Sequence, residues 1–224
     1  MIYKNKKQIL VIGDSHIRVF EHIFFKIFLA KYHFNIVYVA GATAYGLGNK
    51  NSQTNSYNVF LNALKTSHYE QIIVSLGEVD TAYTLWSVAQ RDKKEIKDVV
   101  LLAIQRYKFF LKEISLYAPV VVFSASLPTI SDLSQCDGTV SGVRKNINIS
   151  QKKRTYFALF FNKKVKFFCY YNKQLTYVNF SQSTLNYETR YVHPWILNKN
   201  VCDHHYLRWV YAGLIILKKY KKEW

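Results

Sequence analysis

Two short stretches hold residues suited to covalent chemistry: Gly13-Asp14-Ser15-His16 near the amino end of the 224 residues, and Cys202-Asp203-His204-His205 near the other. A serine hydroxyl is a weak nucleophile until a base takes its proton, and the base needs an acid to fix its tautomer and support its charge. Ser15, following an apolar run and a Gly-Asp turn, would present its hydroxyl at a strand-to-helix corner. Its own amide, at a helix N-terminus, would face a developing oxyanion. Asp203, two residues before His205, offers orienter and base together, with His204 as the rival base. Ordinary readings compete with these: Asp14 or Ser15 as a simple helix cap, and the paired histidines as a surface loop. Two further stretches are weaker alone: Gly77-Glu78-Val79-Asp80, and Gly41 to Gly46, a bend able to expose backbone amides.

The elements around these stretches predict how they meet. Gln8–Ile12, Asn35–Ala40, Gln71–Leu76, Val120–Ser126 and Leu175–Phe180 are short apolar runs, most of them closed by Gly or Pro, and read as buried parallel strands. Helical periods cover 16–32, 57–66, 95–117, 152–168 and 206–221. Residues 41–55 and 131–150 read as polar loops. Alternation of strand and helix predicts one α/β domain over 1–224, a three-layer α/β/α sandwich with a five-stranded parallel sheet. Ligands of such sheets sit at the carboxyl ends of the strands, where all of the candidate residues fall.

Together these blocks resemble the SGNH/GDSL hydrolase superfamily over roughly residues 8–215. Gly13-Asp14-Ser15 matches its first block and Gly41 its second. Gly77-Glu78-Val79-Asp80 stands where its Gly-x-Asn-Asp belongs, and Asp203-His204-His205 where its Asp-x-x-His belongs. The resemblance implies a flavodoxin-like SGNH hydrolase fold and a serine esterase or acyltransferase needing no cofactor. It implies Ser15 as nucleophile, His205 or His204 as base and Asp203 as orienter, with the Ser15 and Gly41 amides binding the oxyanion. O-acetyl esters on carbohydrate are a common substrate class there. Two departures stand out. Val79 replaces the asparagine that donates to the oxyanion, a loss that typically costs about 2.7–4 kcal/mol, unless Asn49, Asn51 or Asn55 donates instead. Only one residue separates Asp203 from His205, where the family has two. Asp14, His16, Gly77, Glu78 and Asp80 are expected to border the substrate.

Composition sets the wider limits. Hydrophobic residues make up 50% of the chain and aromatic residues 17%, enough for a large core and against disorder. A formal net charge of +17 attracts phosphate, acidic glycan or an anionic membrane surface. Arg144, Lys152, Lys153 and Arg154 are expected near the active edge, where they could hold such a group. Cys136, Cys169 and Cys202 form no CxxC, which predicts reduced thiols and a cytoplasmic protein. No apolar run is long enough to span a bilayer. Trp209–Leu217 with its basic tail fits a core helix or a peripheral contact with a membrane. Two other functions fit parts of the pattern. Asp14, His16, Asp80, Asp203, His204 and His205 could ligate a divalent metal for phosphoester hydrolysis. The charge and 18 tyrosines could serve a non-catalytic binding module, although no nucleic-acid signature appears and no specific nucleic-acid target is expected.

Overall fold

The structure, a computed structural model, describes residues 6–49, 51–132, 149–200 and 202–220. Its strands are β1 (Lys7–Gly13), β2 (Tyr32–Tyr38), β3 (Gln71–Ser75), β4 (Val120–Phe123) and β5 (Leu175–Val178). They form one sheet in the order β2–β1–β3–β4–β5, with every neighbouring pair parallel. The helices are α1 (Ile23–Phe28), α2 (Ser56–Leu64), α3 (Leu85–Arg91), α4 (Ile96–Ile114), α5 (Gln151–Tyr170), α6 (Ser181–Thr184) and α7 (Arg208–Ile215). A 3-10 helix, Ser15–Glu21, directly follows β1.

The strands are apolar without interruption because both faces of the sheet are covered, and successive side chains point to opposite layers. Leu10, Ile12, Ile72, Val74, Val120 and Val122 enter one core, against Phe60 of α2, Tyr107 and Phe110 of α4 and Phe161 of α5. Ile9, Val11, Ile73, Val121 and Phe123 enter the other, against Ile17 and Phe20 of the 3-10 helix, Phe25 of α1 and Tyr211 and Ile215 of α7. Full burial of each such side chain contributes about 1.5–3 kcal/mol. This is the expected three-layer α/β arrangement.

Several elements differ from expectation for local reasons. The single helix read over 16–32 is broken at His22, whose backbone is extended (φ −65°, ψ 142°). Its imidazole accepts the Phe24 amide and starts α1 afresh, and β2 begins at Tyr32 rather than at residue 35. β4 ends at Phe123: the Ser124 amide still reaches the Val178 carbonyl of β5 at 3.0 Å, but the Ala125 N–H turns to Asn162 Oδ1 at 2.8 Å. Asp80–Thr84 forms a π-helical turn that runs into α3, a segment without helical periodicity in the sequence. The Trp86 indole donates to the Thr81 carbonyl at 2.7 Å and closes that turn. Tyr206 lies outside α7 and pairs with Leu197 in an isolated bridge. α7 continues as a π-helical turn, Ile216–Tyr220. It buries Tyr211, Ala212 and Ile215, leaving Trp209 exposed.

No helix among the described residues is long and apolar enough to cross a membrane. Cys169 is a buried free thiol, and Cys136 lies outside the described residues.

Candidate active site

The carboxyl ends of β1, β2 and β3 lie side by side, and each opens into one of the polar stretches. At the end of β1, Gly13 has no room for a side chain, because a Cβ there would collide with the Ser75 carbonyl oxygen. Asp14 then caps the 3-10 helix, its Oδ1 accepting the His16 amide at 2.9 Å. Ser15 is the first residue of that helix. At the other end of the chain, Asp203 Oδ1 accepts the His205 amide at 2.9 Å, folding the loop that precedes α7.

These two corners meet. His205 Nε2 lies 2.8 Å from Ser15 Oγ, and His205 Nδ1 lies 2.7 Å from Asp203 Oδ1. A carboxylate offers only acceptors, so Nδ1 carries the proton, Nε2 is the acceptor and the Ser15 hydroxyl donates to it. Asn198 donates to the other carboxylate oxygen, Asp203 Oδ2, at 2.8 Å. Asn198 carried no signal in the sequence, since no motif marks a residue five positions before the aspartate. Between the rival bases, the structure sets the ring of His205 against Ser15. His204 contributes its backbone carbonyl, 3.3 Å from His16 Nε2.

Asp14 and His16 repeat the Asp203–His205 geometry. His16 Nδ1 lies 2.9 Å from Asp14 Oδ1, the same oxygen that accepts the His16 amide. The two rings are 4.7 Å apart. Their charges diverge. Burial alone would lower the His16 pKa, but the charge and hydrogen bond of Asp14, the charge of Glu78 and the His204 carbonyl raise it to about 9. Burial and the neighbouring His16 cation hold His205 below its ordinary value, against the pull of Asp203. His205 is therefore neutral and able to accept a proton at neutral pH.

The third stretch plays another part than expected. Asp80 is fully buried, and its two oxygens accept the Ala44 and Tyr45 amides at 2.7 and 2.9 Å, which anchors the loop after β2. Burial raises its pKa to about 7 against those two hydrogen bonds. Gly77 packs where a Cβ would lie 2.6 Å from Phe161. Glu78 is buried, and its charge reaches His16. None of the three borders the cleft at Ser15, which has a volume of about 260 Å³.

Gly41 takes a left-handed conformation (φ 72°). Its amide and that of Ser15 donate to no protein acceptor among the described residues. Val79 offers no donor. Asn49 and Asn55 border a separate hollow with Arg106 and Phe109, and neither they nor Asn51 line the Ser15 cleft.

The expected basic group also dissolves. Arg154 is buried and spends its guanidinium on the Ile149 and Ile130 carbonyls and on Asp132. Lys152 and Lys153 are exposed and do not line the cleft, and Arg144 lies outside the described residues. The arginines that do border it are Arg18 and Arg208, beside His16. Arg18, three residues after Ser15, was findable from helical periodicity. Of the six expected metal ligands, His16, His204 and His205 come together, with ligand atoms within 4.8 Å. Both Nδ1 atoms of the two Asp-x-His units are engaged by carboxylates, and Asp80 is turned to the loop amides.

No family model matches the sequence, and no curated protein matches it at a significant level. Solved structures do match in shape. A protein from Streptococcus pneumonia, provisionally described as a platelet activating factor, superposes with TM-score 0.62 at 15% identity, over 98% of this chain and 86% of that one. A Slackia heliotrinireducens protein provisionally classed as an SGNH hydrolase gives 0.56 at 9% identity, over 98% of this chain and 100% of that one. The chain has the SGNH-hydrolase fold. A variant of Axe2, an acetyl xylan esterase from Geobacillus stearothermophilus, gives TM-score 0.54 at 12% identity, over 100% of this chain and 96% of that one. At these identities the SGNH likeness is one of fold, and the chemistry rests on the side chains above.

Proposed function

We propose that the chain is a serine-dependent acyl-ester hydrolase of SGNH type, acting on an acylated carbohydrate or glycan precursor. The observation that carries this reading is the relay from Ser15 Oγ to His205 Nε2, at 2.8 Å, and from His205 Nδ1 to Asp203, at 2.7 Å. In it, Ser15 Oγ attacks the ester carbonyl as its proton passes to His205 Nε2, and Asp203 supports the imidazolium. The tetrahedral oxyanion takes the Ser15 and Gly41 amides. The C–O bond to the alcohol breaks, and that oxygen leaves with the proton held on His205. Water, or a sugar hydroxyl in an acyltransferase, then gives its proton to His205 as its oxygen attacks the acyl carbon; the bond from that carbon to Ser15 Oγ breaks, and His205 returns the proton to Ser15. The carbohydrate assignment draws on the acetyl xylan esterase among the similar folds and on the basic surface.

Turnover of p-nitrophenyl acetate by the wild type and by Ser15→Ala, with and without EDTA, tests the proposal. Activity lost in Ser15→Ala and indifferent to EDTA is the expected result. Activity that survives Ser15→Ala and disappears with EDTA would overturn it in favour of a metal held by the three histidines.

A further inference from the structure

Beside the nucleophile, the cleft has a second polar wall that the relay does not use. Arg18 and Arg208 both line it. Their placement follows from spacing. Residues three apart on a 3-10 helix eclipse one another, about 6 Å apart along the axis, so Arg18 stands one turn along the same face as Ser15. Arg208, at the start of α7, follows His205 by the same interval.

The two guanidinium groups are braced from behind. Glu21 Oε2 accepts from Arg18 Nε at 3.3 Å and from Arg208 Nη2 at 2.8 Å, and Arg208 Nη2 also donates to the Arg18 carbonyl at 2.8 Å. The Arg18 guanidinium lies over the Tyr38 ring, 5.2 Å from its centroid. Glu21 itself does not border the cleft. Two cations therefore share one carboxylate, and about half of each side chain stays exposed (46% and 49%). Arg18 Nη1 and Arg208 Nη1 and Nε donate to no protein acceptor among the described residues. Guanidinium groups held in a fixed fork with unused donors are suited to an oxyanion on a ligand, carboxylate or phosphate.

We propose that Arg18 and Arg208 form an anion subsite, so that the substrate is an O-acylated sugar carrying a carboxylate or phosphate about one sugar ring from the ester. This rests on the esterase reading of Ser15 and narrows it, because a neutral xylan ester would leave the subsite unfilled. It also separates local recognition from the diffuse field of a chain with a formal net charge of +17.

The test compares kcat/KM on O-acetylated glucose, O-acetylated glucuronic acid and O-acetylated glucose 6-phosphate, for the wild type, Arg18→Gln and Arg208→Gln. One of the anionic esters is expected to exceed the neutral one by about 10–100-fold, the size of a charge-assisted contact; which of them does so identifies the anion. Each arginine substitution is expected to reduce that ratio by about tenfold. Lys112→Gln removes the same charge near the C-terminal end of α4, whose chain next enters the amino end of β4, and is expected to preserve the ratio.

Equal turnover of the three esters, or a preference surviving both arginine substitutions, would overturn the subsite. Loss of preference in Lys112→Gln as well would reduce it to a general charge effect. If the wild type turns over no ester, the serine reading fails on its own account. Calorimetric binding of the same three sugars to the wild type and the two arginine variants then decides the subsite: equal affinities reject it, and an anion preference lost in the variants upholds it.

Discussion

Replacing His16 by glutamine removes a cation that the fold holds beside the proposed base. In the folded chain the His16 pKa is raised from 6.5 to about 9: burial opposes the charged form, but Asp14, Glu78 and the His204 carbonyl outweigh it. A group bound more tightly to its proton in the native state contributes stability that is complete below the unfolded pKa. That stability is lost as pH rises through the folded pKa. For His16 the loss runs from about pH 6.5 to about pH 9, and amounts to about 2 kcal/mol between pH 7 and pH 9.

Asp80 has its own decline, because burial lifts its pKa from 3.8 to about 7, but that falls at lower pH and is mostly spent by pH 7. Urea unfolding at fixed ionic strength across pH 7 to 9 reads the His16 contribution. The wild type is expected to lose about 2 kcal/mol over that window, and His16→Gln to be nearly flat there and less stable at pH 7. The His16 cation also helps hold His205 low, so the acid limb of kcat/KM should move to higher pH in the variant. A wild type that is flat between pH 7 and 9, or a slope that persists in His16→Gln, would refute the argument and leave Asp14–His16 an uncharged hydrogen bond.

Two further expectations follow from single contacts. Asn198→Ala leaves one oxygen of Asp203 without its 2.8 Å donor and should lower kcat/KM on p-nitrophenyl acetate about tenfold or more, with the melting temperature little changed; unaltered kinetics would show that Asp203 is held well enough from one side. Gly77→Ala forces a Cβ to within 2.6 Å of Phe161 at a backbone φ of 117° and should cost about 2–4 kcal/mol. A melting temperature within a degree or two of wild type would contradict it.

The sheet and the placement of the site were legible in the sequence because both follow from order. Apolar runs of strand length separated by helical periods specify a parallel sheet, and the sheet puts every following turn at one edge. The break at His22 was not legible, since an imidazole accepting the Phe24 amide leaves the apolar period intact. Nor was the helical segment after Gly77: Asp80 to Arg91 is closed by a side-chain contact within the segment, the Trp86 indole on the Thr81 carbonyl, against the β-branched and aromatic character of the segment. The carboxylates of the third stretch misled for a related reason. A buried acid next to a site reads in sequence like a substrate contact, and only the two amides on Asp80 reveal an anchor. Arg154 misled likewise, because a charge run gives no sign of which member turns inward to backbone carbonyls.

Local sequence also cannot distinguish the two Asp-x-His units. In each, one aspartate oxygen accepts both the amide and the ring nitrogen of the histidine two residues on. What separates them is their surroundings. The Asp14–His16 pair has side chains only 2–3% exposed and a second carboxylate, Glu78, close enough to act on it. There the imidazolium is favoured over a neutral ring beside unbalanced negative charge. The Asp203–His205 pair is 31% exposed and faces that imidazolium, so its own histidine is kept neutral. Two like pairs whose environments drive their protonation apart provide one fixed charge and one available base. In the proposed mechanism, that division would also account for which histidine serves Ser15. The available base must be the one whose Nε2 is free of protein carbonyls, and His205 meets that condition where His16 does not.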